Sequence, residues 1–311
     1  MCKALVALGR RLGRMGYRFT TVTPATQLLV NGRSGNGEAQ SLRDVFGWSR
    51  PFLPDLLPPD LLELMQAANV LERNTTGGSW RSTVRFSTIE GELFVHSAFP
   101  TASRDAVFFG PDSVRFVNEI LRNCTPVPRV VDIGCGTGVG GIMLARHGFC
   151  RSELVLADIN PQALRFAEVN AELARVEARV VHSDVLYDVD GEIDLIIANP
   201  PYLRDEQHRW YRDGAGEYGE GIGARMVREG LLRLHENPRG GAMLLYTGAA
   251  IVGGVDTFLG AIIDDLRNAG ARYVYNELDP DVFSEELARP AYENTERIAA
   301  VFLQVQVGAR R

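Results

Sequence analysis

Lysine is almost missing from this chain: Lys3 stands alone among 33 basic side chains. Arginine can replace surface lysine without changing charge, so we attribute the bias to codon composition and read no function from it. Long apolar runs are missing too. None reaches the roughly 18 residues that a membrane-spanning helix needs, which excludes an integral helical membrane protein. Cysteine is sparse, and Cys2, Cys124, Cys135 and Cys150 form no CxxC pair and no Cys/His group at zinc spacing. A disulfide scaffold and a structural metal site are therefore excluded, and a reducing cytoplasm is the expected setting. His96, His147, His182, His208 and His235 share no ligand spacing, read as surface or core residues, and imply no metal. The first 18 residues lack an acid, as a transit peptide would, but Leu5, Leu8, Leu12 and Met15 recur at helical spacing. They mark an ordinary amphipathic helix.

What is present is a globular composition: 311 residues, 45% hydrophobic and 23% charged, enough for one large or two unequal domains. Charge divides unevenly. Residues 1–110 carry 12 basic against 9 acidic side chains and the remainder 21 against 30, so +3 and −9 make up the chain's −6.

From Pro128 onward, short β-branched runs alternate with helical patterns, the signature of a parallel sheet covered by helices. Seven strands are predicted, at 129–133, 154–158, 178–182, 193–198, 242–247, 273–278 and 298–307. Their near-continuous hydrophobicity suits burial on both faces. Helices are predicted at 138–147, at 161–176 with Asn160 as N-cap and Pro161 in the first helical position, and at 224–235. Five glycines in 214–223 predict a mobile loop before the last of these. Residues 1–106 break the alternation and read as a smaller α+β domain. Helices at 41–48 and 59–72, then two strands within 80–97 turning at Glu90-Gly91, resemble a winged-helix arrangement. The larger domain is expected at 107–311.

Two motifs carry chemistry. In the first, Val130-Val131-Asp132-Ile133-Gly134-Cys135-Gly136-Thr137-Gly138 sets a strand, an acid and alternate glycines before a helix. Glycine permits a tight turn and close ligand approach, and the helix start offers oriented N–H groups. Asp158 ends the next strand, where a carboxylate can take both hydroxyls of a ribose. Residues 136–141 also fit the dinucleotide pattern G-x-G-x-x-G. Asp132 weighs against that reading, because a carboxylate there repels a pyrophosphate and suits the cationic amino-acid end of S-adenosylmethionine.

At these residues the chain resembles the class I S-adenosylmethionine-dependent methyltransferases, over about residues 107–308. The resemblance implies a seven-stranded Rossmann-like domain with S-adenosylmethionine as cofactor. It implies that Gly134, Gly136 and Gly138 surround the cofactor, that Asp158 with Ile159 meets its ribose side, and that Asp184 with Val185 faces the adenine. The segment Phe108-Phe109-Gly110-Pro111-Asp112-Ser113 resembles the stretch that covers the methionine end, with Phe109 and Pro111 as contacts; Asp112 or Ser113 can equally cap the following helix.

The second motif, Asn199-Pro200-Pro201-Tyr202, ends the fourth predicted strand. It looks like the signature of methyltransferases acting on planar nitrogens, the adenine amine or the glutamine amide of release factors. Such a nitrogen delocalises its lone pair and reacts only as it pyramidalises. The Asn199 side-chain oxygen and the Pro200 carbonyl can each accept an N–H and favour the developing positive charge. Consecutive prolines hold both acceptors, and Tyr202 offers a flat face for stacking.

The acceptor is open between a small molecule and a protein or peptide nitrogen, because release-factor enzymes carry an all-helical N-terminal recognition domain and this chain's N-terminal part reads as hairpin-bearing. Asp205, Glu206, His208, Trp210 and Tyr211 fit an acceptor pocket or a solvated loop, and 279–293 is a long insertion before the last strand. A noncatalytic adaptor that keeps the fold is the other class of reading, made weaker by the intact tetrapeptide. Duplex DNA is not expected as substrate. The acidic catalytic part offers little phosphate neutralisation, and Arg81 and Arg85, four apart on an extended strand, make a weak track.

Overall fold

The computed structural model describes residues 1–73 and 78–309, so the last two positions of the expected larger domain lie outside the described residues. The elements run in the order α1 (Cys2–Arg14), α2 (Pro24–Asn31), α3 (Leu42–Phe46), α4 (Pro59–Ala67), β1 (Leu71–Arg73), β2 (Trp80–Ser82), β3 (Val84–Ile89) and β4 (Glu92–Ser97). There follow α5 (Pro111–Asn123), β5 (Val127–Ile133), α6 (Val139–Arg146), β6 (Cys150–Asp158), α7 (Pro161–Ala174), β7 (Arg179–His182), β8 (Leu195–Ala198) and α8 (Gly221–Glu236). The chain closes with β9 (Gly241–Val252), β10 (Val255–Asp256), α9 (Thr257–Asn268), β11 (Arg272–Asp279) and β12 (Thr295–Val307).

One mixed sheet organises the molecule, in the order β11-β12-β9-β8-β5-β6-β7, with the two-residue β10 pairing on β9. Strands β5 to β9 are parallel where they pair, and β12 runs antiparallel to both β9 and β11. Alternate residues feed opposite faces, as a two-residue side-chain period requires. Val130, Leu156, Leu195 and Ile197 join Phe116, Ile142 and Ala171 from α5, α6 and α7. Val131, Val155, Ile196 and Ala198 join Val227 and Phe258 from α8 and α9. Both faces are covered over β8 and β9, which read as unbroken apolar runs, whereas the edge strands β7 and β11 are largely exposed, contrary to the expected burial. Strand order reverses at β5, between β6 and β8, and the crevice beyond the carboxyl ends there is where such sheets bind ligands.

The start of α7 is built as its sequence dictates: Asn160 Oδ1 accepts the Gln162 N–H at 2.9 Å and Pro161 takes the first helical position. Two other elements end differently from their sequence patterns. Helix α4 stops at Ala67, because Leu71–Arg73 pairs antiparallel with β2. The expected two-stranded stretch at 80–97 is accordingly divided. β3 and β4 form the hairpin turning at Glu90-Gly91, whose φ values of 47° and 89° are those of a tight hairpin turn, whereas β2 belongs to β1. Arg81 and Arg85 therefore sit on different strands. Arg85 is 3% exposed, and Arg81 donates to the Ser49 carbonyl at 3.1 Å. The pair makes no phosphate track.

Residues on either side of the expected boundary at 106 share one core. Leu5, Leu8 and Leu12 of α1, with Phe46 and Phe86, pack on Ala163, Phe166 and Val169 of α7. Asn170 reinforces the joint. Its Oδ1 accepts the Val95 N–H at 2.7 Å while its Nδ2 donates to the carbonyls of Val95 and Thr137. Helix α7 thus lies between the sheet and the N-terminal elements.

Candidate active site

Gly134, Gly136 and Gly138 follow β5 with φ of 62°, 55° and 73°, a left-handed alternation that side chains with a Cβ resist. The turn is anchored to the next strand, since Cys135 N–H donates to the Ala157 carbonyl at 3.0 Å and Gly136 N–H to Asp158 Oδ2 at 2.8 Å. The other Asp158 oxygen accepts the Asn160 N–H at 2.8 Å. Asp132, next to last in β5, points onto the start of α6, where its Oδ2 accepts the Gly141 N–H at 2.9 Å. Gly140 must be glycine, because a Cβ would come within 2.5 Å of the Phe116 ring and 3.1 Å of Asp132 Oδ2.

Both acids are buried, and among the described residues neither pairs with an arginine or lysine, His182 lying opposite Asp158 on β7. Burial pushes Asp132 up to about 7, against the pull of the Gly141 N–H and with a further push from the Asp158 charge. Burial also raises Asp158, opposed by its backbone hydrogen bonds. These two carboxylates, with Gly134, Gly136, Ile159, Asp184 and Val185, line one cavity of about 510 Å³. A cationic group relieves that arrangement. A pyrophosphate does not, because the Asp132 carboxylate already sits on the helix start where phosphates bind. The residues therefore fit S-adenosylmethionine and disfavour a dinucleotide. Of the residues expected on the adenine side, Ile159 is 44% exposed, Val185 is buried with φ 54°, and Asp184 is paired with Arg225 at 2.8 Å. Arg225 carried no sequence signal, since it lies on α8, 41 residues away.

The segment entering α5 differs from expectation by one residue. Phe109 is turned into the core, stacked on Phe94 and on His96 with its ring centroid 5.1 Å from the latter, and neither it nor Pro111 lines the cavity. Phe108, Asp112, Ser113 and Phe116 do. Ser113 Oγ accepts the Gly110 N–H at 3.2 Å and so serves as the capping residue, leaving Asp112 for another role.

Asn199, Pro200, Pro201 and Tyr202 line the same cavity. Ile133 and Ala198 are register partners on β5 and β8, so Gly134 and Asn199 leave adjacent strands at the same level. Among the described residues, the Asn199 carboxamide has no protein partner. Tyr202 sits lower than a stacking platform would. It is 9% exposed, its ring lies on Gly248, where a Cβ would come within 2.2 Å, and its hydroxyl donates to Asp112 Oδ2 at 3.0 Å. A buried tyrosine hydroxyl needs an acceptor, and the nearest one lies beneath the turn.

The glycines of 214–223, in the segment expected as a mobile loop, permit close backbone packing. A Cβ on Gly214 would meet the Gly219 carbonyl at 2.0 Å, and one on Gly219 the Tyr202 carbonyl at 2.3 Å, so this backbone presses directly on the tetrapeptide. The 279–293 insertion supports it: Tyr292 Oη accepts the Arg204 N–H at 2.8 Å, and buried Glu286 pairs with Arg212. Phe108 stacks on Tyr211 at 5.6 Å and the Arg104 guanidinium lies 5.2 Å over Trp210, closing the wall beside Asn199 with aromatic surface. His208, at the rim, pairs with Asp213 at 2.6 Å. Among the described residues no group of three His, Cys, Asp or Glu side chains is placed to hold a metal, and no helix is long and apolar enough to cross a membrane.

Residues 105–212 match the family model described as methyltransferase small domain. A release factor glutamine methyltransferase of Deinococcus radiodurans is 34% identical over 128 residues, 38% of this chain and 45% of that protein. A ribosomal RNA small subunit methyltransferase C of Shewanella denitrificans is 32% identical over 126 residues, 40% of this chain and 34% of that protein. The chain thus spans less than half the length of the curated relatives it matches. Among solved structures, Trm5b of Pyrococcus abyssi superposes with a TM-score of 0.51 at 15% identity, covering 76% of this chain and 63% of that one, a likeness of fold. A methyltransferase small domain over 105–212 is therefore what the chain shares with these proteins.

Proposed function

We propose that this protein is an N-methyltransferase whose acceptor is a planar amide nitrogen, with a glutamine side chain in a protein as the favoured substrate and a small-molecule amide as the alternative. The observation that carries the reading is the Asn199 carboxamide, unpaired among the described residues and level with the glycine turn, in the cavity that Asp132 and Asp158 also line. Bound S-adenosylmethionine supplies an electrophilic sulfonium methyl group. Asp132 holds its ammonium group, the free lone pairs of Asp158 take the ribose hydroxyls, and Ile159 and Val185 flank the adenine.

On the acceptor side, Asn199 Oδ1 and the Pro200 carbonyl accept the two N–H bonds of the target. They gain strength as positive charge develops on that nitrogen, so they favour the transition state over the ground state. The prolines fix φ, and no reorganisation is needed at that moment. No general base is required first, because the nitrogen becomes acidic only on alkylation. Phe108, Trp210 and Tyr211 give the acceptor half an aromatic wall. Burial of Arg85 and the −9 charge of residues 111–311 favour protein over nucleic acid.

Labelled S-adenosylmethionine offered with release factor protein, ribosomal RNA and pooled small amides tests the proposal. Label on a glutamine amide supports it. Label confined to RNA would sink it.

A further inference from the structure

Asp112 is buried at 5% exposure and uses both oxygens. Oδ2 accepts the Tyr202 hydroxyl at 3.0 Å, and Oδ1 accepts the Tyr246 hydroxyl at 2.8 Å together with Arg115 Nη1 at 3.0 Å. Arg115 is held in turn by Asp279 at 3.1 Å. The carboxylate is therefore a fixed anchor at the first turn of α5, joined to the end of the tetrapeptide and to β9.

The turn from Asn199 to Tyr202 is held at both ends, and the backbone of Gly214 and Gly219 packs on the Pro201 and Tyr202 carbonyls. Its start is fixed by Ala198, paired in β8 on both sides. Its end is fixed by the Tyr202 ring and hydroxyl. Between them stand two residues of fixed φ, and both Asn199 and Pro200 precede a proline, so a displacement of the Tyr202 end has few backbone torsions to absorb it before Asn199. Asn199 has no protein hydrogen bond of its own to restore its aim. Packing on Gly248 and Phe283 holds the Tyr202 ring, and the bond to Asp112 fixes its hydroxyl end.

Resting on the role proposed for Asn199, we infer that Asp112 is a positioning residue: through Tyr202 it aims the Asn199 carboxamide and the Pro200 carbonyl at the acceptor nitrogen. Tyr246 uses the same carboxylate but leads to no acceptor group, so its bond is structural.

Two readouts test this. Initial rates are measured with labelled S-adenosylmethionine and full-length bacterial release factor for wild type, Tyr202→Phe, Asp112→Asn, the double variant and Tyr246→Phe. Tyr202→Phe should lower kcat about tenfold with KM for S-adenosylmethionine within about twofold. Asp112→Asn should fall similarly, and the double variant no further. Tyr246→Phe should lower Tm and keep kcat within about twofold. The second readout needs no acceptor. It is the side-chain amide signal of Asn199 in 15N-labelled protein bound to S-adenosylhomocysteine, assigned by its loss in Asn199→Ala. A single dispersed pair is expected in wild type and Tyr246→Phe, broadened or shifted toward a free amide in Tyr202→Phe and Asp112→Asn. Wild-type kcat in Tyr202→Phe, or an unmoved Asn199 signal there, overturns the inference. Should wild type itself leave release factor unmethylated, the favoured acceptor fails, and the Asn199 signal still decides for or against Asp112.

Discussion

Replacing Asp132 with Asn should stabilise the ligand-free protein and weaken its cofactor binding, two effects of opposite sign from one atom change. In the folded chain the carboxyl is held up to about 7, chiefly by burial. In the unfolded chain it titrates near 4. Below pH ~4 both states hold the proton and the group contributes nothing. As pH rises from 4 to 7 the unfolded chain releases the proton first, so the folded state loses stability, levelling above 7 at about 4 kcal/mol for a shift of roughly three units. Asn keeps the oxygen that accepts the Gly141 N–H and carries no charge. Asp132→Asn should therefore flatten the decline in stability between pH 4 and 7 and raise Tm at pH 8. The same change removes the partner of a ligand ammonium group, worth about 1.5–3 kcal/mol as a charged hydrogen bond, or roughly 10- to 150-fold in Kd. Thermal unfolding at pH 4 to 8, with calorimetry of S-adenosylhomocysteine and of adenosine, reads both effects. Adenosine lacks the amino-acid end and should bind equally to both proteins. A variant less stable than wild type at pH 8, or one that binds S-adenosylhomocysteine undiminished, would refute the reasoning.

Asp158→Ala should weaken S-adenosylhomocysteine by about 1–3 kcal/mol in calorimetry, because it removes both the ribose acceptor and the clamp on Gly136. Gly219→Ala, which places a methyl group 2.3 Å from the Tyr202 carbonyl at a φ of 102°, should cost about 1–3 kcal/mol in denaturant unfolding and lower turnover more than cofactor affinity. Removal of residues 1–106 uncovers Phe166 and Val169 on α7, about 3–6 kcal/mol of apolar burial together, so the truncated chain should aggregate or melt well below the full chain. A soluble fragment with full-length Tm would show that α7 does not need this cover.

The central strands β8 and β9 were legible because they are buried on both faces, and α7 because Asn160-Pro161 marks its start. Most residues expected on the cofactor side line one cavity because they follow one another at strand ends: Asp132, Gly134 and Gly136, then Asp158, Ile159, Asp184 and Val185, with Gly138 set back from it. What escaped was whatever depends on distant partners. Phe108 and Phe109 are adjacent and alike, and only packing decides that the second is the core residue. The glycines of 214–223 have the composition of a flexible loop, and their use in close approach to Tyr202 appears only once β9 and the 279–293 insertion are in place. Asp112 has the local sequence of a helix cap, and its true partners lie 90 and 134 residues away. Helix α9 is a different case. Asp256 caps it by accepting the Leu259 N–H at 2.7 Å, and Phe258, Ile262 and Leu266 repeat at helical spacing, a signal present in the sequence.

The most direct test of the central claim is kcat for methyl transfer to the glutamine amide of full-length release factor, measured for wild type and Asn199→Ala alongside their affinities for S-adenosylhomocysteine. The account predicts N-methylglutamine from the wild type, a loss of roughly 10²- to 10³-fold in the variant and nearly equal cofactor affinity, since Asn199 acts where charge develops. Equal turnover in the two proteins, or methyl groups delivered to an atom other than an amide nitrogen, would contradict it.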